Sequence, residues 1–158
     1  MPSTHKKVIV RKLDRDSVNG YVAANYIADG KLELLNTAGK VVSLELGGIK
    51  GVFFVRDFSD SESVQRKTFA TRPRSEGLWV RLKFTDNDIL EGMMPNDLAQ
   101  LAPEGFLIIP PDTRGNTQRI FVPKTALASF QVLAVIGGPV ARRRKAAEDA
   151  RQVTLFSE

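Results

Sequence analysis

The chain has 158 residues, one histidine and no cysteine, with 42% apolar residues and a net charge of +5. That length fits one domain or two very small ones, and the composition is that of a folded chain. It excludes a disulfide framework, a cysteine-ligated metal and a thiol nucleophile, while the lone His5 gives no histidine cluster and no buried nucleophile–base pair. No apolar window is long enough to span a bilayer and no signal-type segment opens the chain, so a cytoplasmic location away from membranes is expected.

In chain order, residues 1–5 read as a flexible N-terminus and residues 6–55 as a first β unit. Val8 and Val10 mark its first strand, Asp14-Arg15-Asp16 a turn, and Gly20 a bend or close backbone approach inside the second strand. Lys12 breaks the inward alternation, which predicts a bulge that turns Leu13 inward. Lys31–Leu35 and Lys40–Leu46 flank Asn36-Thr37-Ala38-Gly39 as a hairpin. A single 3₁₀ turn is expected near Ile49, before a last strand through Val52–Val55. Residues 56–76 form a polar, then basic, linker, long enough either to be mobile or to wrap the β units.

Residues 77–136 then repeat the first unit. Val8, Val10, Asp14, Asp16, Val18 and Gly20 reappear as Val80, Leu82, Asp86, Asp88, Leu90 and Gly92, at a constant offset of 72. Leu78, Val80, Leu82 and Phe84 alternate with Trp79, Arg81 and Lys83, the period of a half-buried strand. Phe106–Ile109 and Arg119–Val122 answer the hairpin, and Leu127 answers Ile49 at an offset of 78. Insertions are therefore expected near Ala99–Glu104 and Thr113–Asn116. Residues 137–158 form a basic tail, helical over Ala141–Arg151 or disordered.

Five short strands per copy, a bend at a glycine and a one-turn helix before the last strand resemble the small barrels of the Sm/Hfq-like and SH3-like class. That resemblance implies two tandem five-stranded β-barrels packed together. Asp16…Gly20 and Asp88…Gly92 fit the first Sm motif, although the usual turn glycine is missing from both copies. The Sm RNA-contacting Arg-Gly pair is absent, so the family's activity does not carry over. The whole chain is also similar to an uncharacterised bacterial family with this tandem arrangement.

The candidate sites follow from charge and aromatic placement. Arg66, Lys67, Arg72 and Arg74, with Trp79, Arg81 and Lys83 beyond, interleave bases and aromatics as single-strand nucleic-acid surfaces do. Arg142, Arg143, Arg144 and Lys145 add a basic run in the tail. Gln152, Leu155 and Phe156 resemble the short motif by which bacterial proteins bind the sliding clamp. Trp79 is alternatively an interface residue, and the terminal Leu-Phe alternatively a strip that docks on its own barrel. Asp14, Asp16, Asp86 and Asp88 are expected to build turns rather than a cation site. Arg11, Arg15, Ser17 and Gly20 resemble fragments of PilZ cyclic-dinucleotide motifs, but they overlap where that family separates them. The expectation is a non-enzymatic binding protein with no cofactor, no metal and no catalytic residue. Its partner is single-stranded nucleic acid or, alternatively, a peptide taken at a barrel groove or sheet edge.

Overall fold

The computed structural model describes residues 5–58, 67–97, 104–112 and 115–137. Its described part is built from antiparallel strands, and no helix in it is long and apolar enough to cross a membrane. The strands are β1 (Lys6–Lys12), β2 (Ser17–Val22), β3 (Ile27–Ala28), β4 (Lys31–Asn36), β5 (Val41–Glu45), β6 (Ile49–Val55), β7 (Gly77–Phe84), β8 (Ile89–Met94), β9 (Gly105–Ile108), β10 (Thr117–Pro123) and β11 (Leu127–Ile136). The two-residue β3, beside β4, has no counterpart in the sequence reading.

The repeat holds at the level of register. In the first half the strand order is β6-β1-β2-β4-β5, and in the second β11-β7-β8-β9-β10. The β8–β9 link shrinks to one bridge, Met93 with Ile109. Val8 faces Gly20 as Val80 faces Gly92, and Val10 faces Val52 as Leu82 faces Phe130. Tyr21 faces Leu35 as Met93 faces Ile109. The expected 3₁₀ turns are Leu46–Gly48 and Lys124–Ala126, each just before a last strand.

The expectation of two closed barrels needs correction. Among the described pairings none joins β5 to β6 or β10 to β11, so neither half is a closed barrel. The reason lies in β10, which pairs with β6 of the other half and carries the sheet through instead of curling it shut.

Two apolar clusters sit on either side of this β6–β10 wall. Val52 and Phe54 of β6 and Phe121 of β10 join the first cluster, with Val8, Val10, Leu32 and Leu34. Ile120 and Val122 of β10 join the second, with Val80, Leu82, Phe106 and Ile108, and Phe53 of β6 packs against it. Each strand of the wall is thus covered on both faces. This explains the unbroken apolar runs Val52-Phe53-Phe54-Val55 and Ile120-Phe121-Val122, since a strand buried on both faces does not alternate.

Gly20 and Gly92 mark close approaches. A Cβ on Gly20 would lie 2.5 Å from the Leu35 carbonyl oxygen, and one on Gly92 would lie 2.9 Å from Ile108 Cδ1. The expected bulge falls between Arg11 and Lys12, but Leu13 packs against the second half's cluster rather than its own. Its backbone N–H donates to Gly48 O at 3.0 Å.

Candidate functional site

The outer face of β7 and β8 gathers much of the predicted basic cluster around one acid. Glu91, 2% exposed, stands opposite Arg81 across the hairpin. It accepts hydrogen bonds from Arg81 Nε and Nη2 at 3.0 and 2.8 Å, from Trp79 Nε1 at 3.3 Å, and from the Phe69 backbone N–H at 3.0 Å. Burial alone would raise its pKa. The bonds from Phe69, Arg81 and Trp79 outweigh burial and hold the carboxyl below the usual range. The Glu91 backbone N–H donates to Lys67 O at 2.6 Å, and Phe69 meets Trp79 edge-on at 6.0 Å between centroids. Lys67 and Phe69, at the start of the described part of the linker, thus lie against the β7–β8 face.

This geometry ties down residues expected to touch nucleic acid. Trp79 is half-buried, with its N–H committed to Glu91, and Arg81 is ion-paired with Glu91. Lys67 Nζ lies 3.1 Å from Asp88 Oδ1. Arg72, Arg74 and Lys83 are exposed, and Arg74 lines a cleft with Phe69 and Met93. Arg66, Arg142, Arg143, Arg144, Lys145, Gln152, Leu155 and Phe156 lie outside the described residues. Glu91 is absent from the sequence candidates, yet a hairpin centred on Asp86 places residue 81 opposite residue 91. That symmetry was the available signal.

A second feature lies where the halves meet. A cavity of about 280 Å³ is lined by Arg11 and Lys12 from the end of β1, Arg15 from the β1–β2 turn, Lys50 from β6, and Asp86 and Asp88 from the β7–β8 turn. Lys50 Nζ lies 2.8 Å from both Asp86 Oδ2 and Asp88 Oδ2, and 5.1 Å from the Phe84 ring centroid. Burial pulls the Lys50 pKa down, and the two aspartates more than restore it, for a net rise. Lys50 in turn holds Asp86 below its ordinary value, and with Lys67 overrides the effect of burial on Asp88. An ammonium thus occupies the place a cation would take between these aspartates, and among the described residues no group of acids and histidines is arranged to hold a metal. Arg15 and Asn87, equivalent across the repeat, adopt φ values of 74° and 70°. Asparagine tolerates this left-handed region, whereas arginine there is uncommon.

A third feature is the pair of outer strands. β11 carries Phe130 at 43%, Val132 at 45% and Val135 at 58% exposure, and β5 carries Val41 at 65%. Among the described pairings β11 bonds only to β7, and β5 only to β4. Among the described residues, both therefore present backbone donors and acceptors along one unpaired edge.

A family model described as a family of unknown function (DUF6982) matches residues 4–134. No curated protein and no solved structure matches the chain.

Proposed function

The chain belongs to the DUF6982 family, whose function is unknown, and we propose that it is a non-enzymatic binding protein that engages a protein partner by strand addition at its sheet edges. One observation carries this reading. Residues 128–132 of β11 are exposed, while their counterparts in β6 are buried or half-buried under β10. Among the described residues, nothing covers β11 as β10 covers β6. In strand addition, backbone hydrogen bonds supply affinity and alternate side chains supply selectivity.

The basic cluster weighs less, because Glu91 and Asp88 already pair with Arg81 and Lys67. A second reading, single-stranded nucleic-acid binding, draws support from cation–aromatic pairs on the two faces of β6 and at Phe58. Lys7 lies over Phe58, Arg11 over Phe53 and Arg119 over Phe54, with cations 5.8, 4.7 and 4.6 Å from the ring centroids. The cations suit phosphates, and the half-buried Phe53 and Phe58 leave part of a ring for stacking, whereas Phe54 is buried in the first core. The tail's Gln152, Leu155 and Phe156 remain a proposed contact to a sliding clamp, and the cytoplasm the proposed location.

Amide exchange on the full chain, titrated with an extended peptide of alternating valine and threonine, tests the first reading. Saturable slowing at Phe130 and Val132, whose amides face away from β7, is expected, and is lost in Val132→Lys. Peptide-independent exchange along β11 would overturn it. Salt-sensitive binding of oligo(dT) that disappears in an Arg11→Ala, Arg119→Ala double variant would favour the second reading instead.

A further inference from the structure

We infer that the occupant of the β11 edge is β5 of a second copy of this chain, paired so that Val41 faces Val132, Val42 faces Gln131 and Ser43 faces Phe130. This rests on the strand-addition reading and names its partner.

The chain contains its own template for the contact. β6 and β11 are equivalent strands, because Val52 and Phe130 occupy the same register against β1 and β7. β5 and β10 are equivalent too, because Leu34 faces Val42 as Ile108 faces Ile120. Within the chain, a β10-type strand covers a β6-type strand, with Arg119 opposite Phe54, Ile120 opposite Phe53 and Phe121 opposite Val52. Among the described residues, the two strands left bare are the other β6-type strand, β11, and the other β10-type strand, β5. Moving the internal register by the repeat offset of 78 gives the three pairs named above. It brings Val41 and Val132, two of the most exposed large apolar residues on the described surface, directly opposite each other.

Geometry and composition both favour a second copy over self-closure. β5 and β11 lie at opposite ends of one path, β5-β4-β2-β1-β6-β10-β9-β8-β7-β11. Each chain therefore offers one edge of each kind, and the contact is head-to-tail: it produces a ring where the rotation closes and a fibre where it does not. Natural free edges are blunted with charges or proline, and the ten residues of β11 include neither. β11 has two register shifts. The one between Leu127 and Ser129 repeats the one opposite Lys12 in the first half, where the equivalent strand is still covered by β10. The one between Val132 and Ala134 has no counterpart in β6 and falls just beyond the three proposed pairs.

The test uses the full chain in sedimentation velocity and light scattering. The expected result is a concentration-dependent mass above that of a dimer. Val41→Lys and Val132→Lys each remain monomeric with an unchanged circular-dichroism spectrum. Mixed in equal amounts they form a dimer and nothing larger, because each retains one complementary edge. As a check independent of charge, Val41→Cys mixed with Val132→Cys should cross-link in a chain that otherwise has no cysteine. Cross-linking of either cysteine variant with itself as readily as with the other would overturn the pairing. So would a monomer at all concentrations. If that monomer still binds the valine–threonine peptide at β11, self-pairing alone falls; if it does not, strand addition falls with it. A Val132→Lys protein with a lowered Tm and unchanged mass would assign the edge to the chain's own remaining segments and would also contradict the inference.

Discussion

Replacing Glu91 with alanine should loosen the linker from the β7–β8 face. The side chain is almost fully buried and accepts four hydrogen bonds. Arg81 is 45% exposed at its side chain, so it rehydrates when the carboxylate goes, and its ion pair is worth no more than about 1 kcal/mol after solvent screening. The Phe69 backbone N–H and the Trp79 indole N–H are less accessible, and each buried donor left without an acceptor costs about 1–3 kcal/mol. Water entering the space left by the side chain offsets part of that. The net expectation is a loss of about 2–3 kcal/mol for Glu91→Ala and about 1 kcal/mol for Glu91→Gln, whose amide oxygen still accepts from Phe69 and Trp79. Urea unfolding measures the loss. The single tryptophan gives a second readout, because Trp79 emission should shift red as Phe69 leaves its ring. A change within about 0.5 kcal/mol, the ordinary range for surface positions, together with unchanged emission would refute the role assigned to Glu91.

Other outcomes follow from the same geometry. Gly92→Val should destabilise the second half by about 1–3 kcal/mol, read by thermal unfolding, because its side chain would meet Ile108 and the Ile109 carbonyl. Lys50→Met should cost about 1–2 kcal/mol by leaving Asp86 and Asp88 facing each other, and should reduce the loss of stability in acid. Asp86, Asp88 and Glu91 all have carboxyl pKa values lowered in the folded chain. Their contribution is therefore present above the ordinary carboxylate values near 4 and is lost as pH falls through the lower folded values. Urea midpoints between neutral pH and about pH 3 should fall, and fall less in Glu91→Gln.

Much of the fold was legible because the two copies confirm each other. The offset of 72 across Val8–Gly20 and Val80–Gly92 located both hairpins, both close glycine approaches and the turn aspartates. The offset of 78 at Leu127 located the second 3₁₀ turn and last strand. What a repeat cannot reveal is which copy supplies a strand's neighbour. The runs Val52–Val55 and Ile120–Val122 mark burial on both faces, but either closure within a half or pairing between halves satisfies them. Leu13 likewise reads as an inward residue without saying into which core.

The site was less legible because it depends on contacts outside the repeat. Arg66–Arg74 and Trp79–Lys83 looked like one basic, aromatic surface. The linker folds onto β8, and Glu91 draws Trp79 and Arg81 together beneath it. The first half has Ile9 and Asn19 at the equivalent cross-strand position, so the repeat gave no hint of this acid. The bare edge of β11 was hidden for the opposite reason. Its apolar run Val132–Ile136 has the pattern of a covered strand, and exposure cannot be read from composition.

The central claim is that β11 is an edge meant to be covered. Amide exchange at Phe130 and Val132, whose N–H groups point away from β7 because Gln131 takes the bonded position opposite Arg81, tests it most directly as the full chain is diluted. The account predicts slow exchange at high concentration that becomes fast on dilution, and fast exchange at every concentration in Val41→Lys. Fast exchange at these two amides in the concentrated wild-type chain, unchanged by dilution or by added peptide, would contradict it.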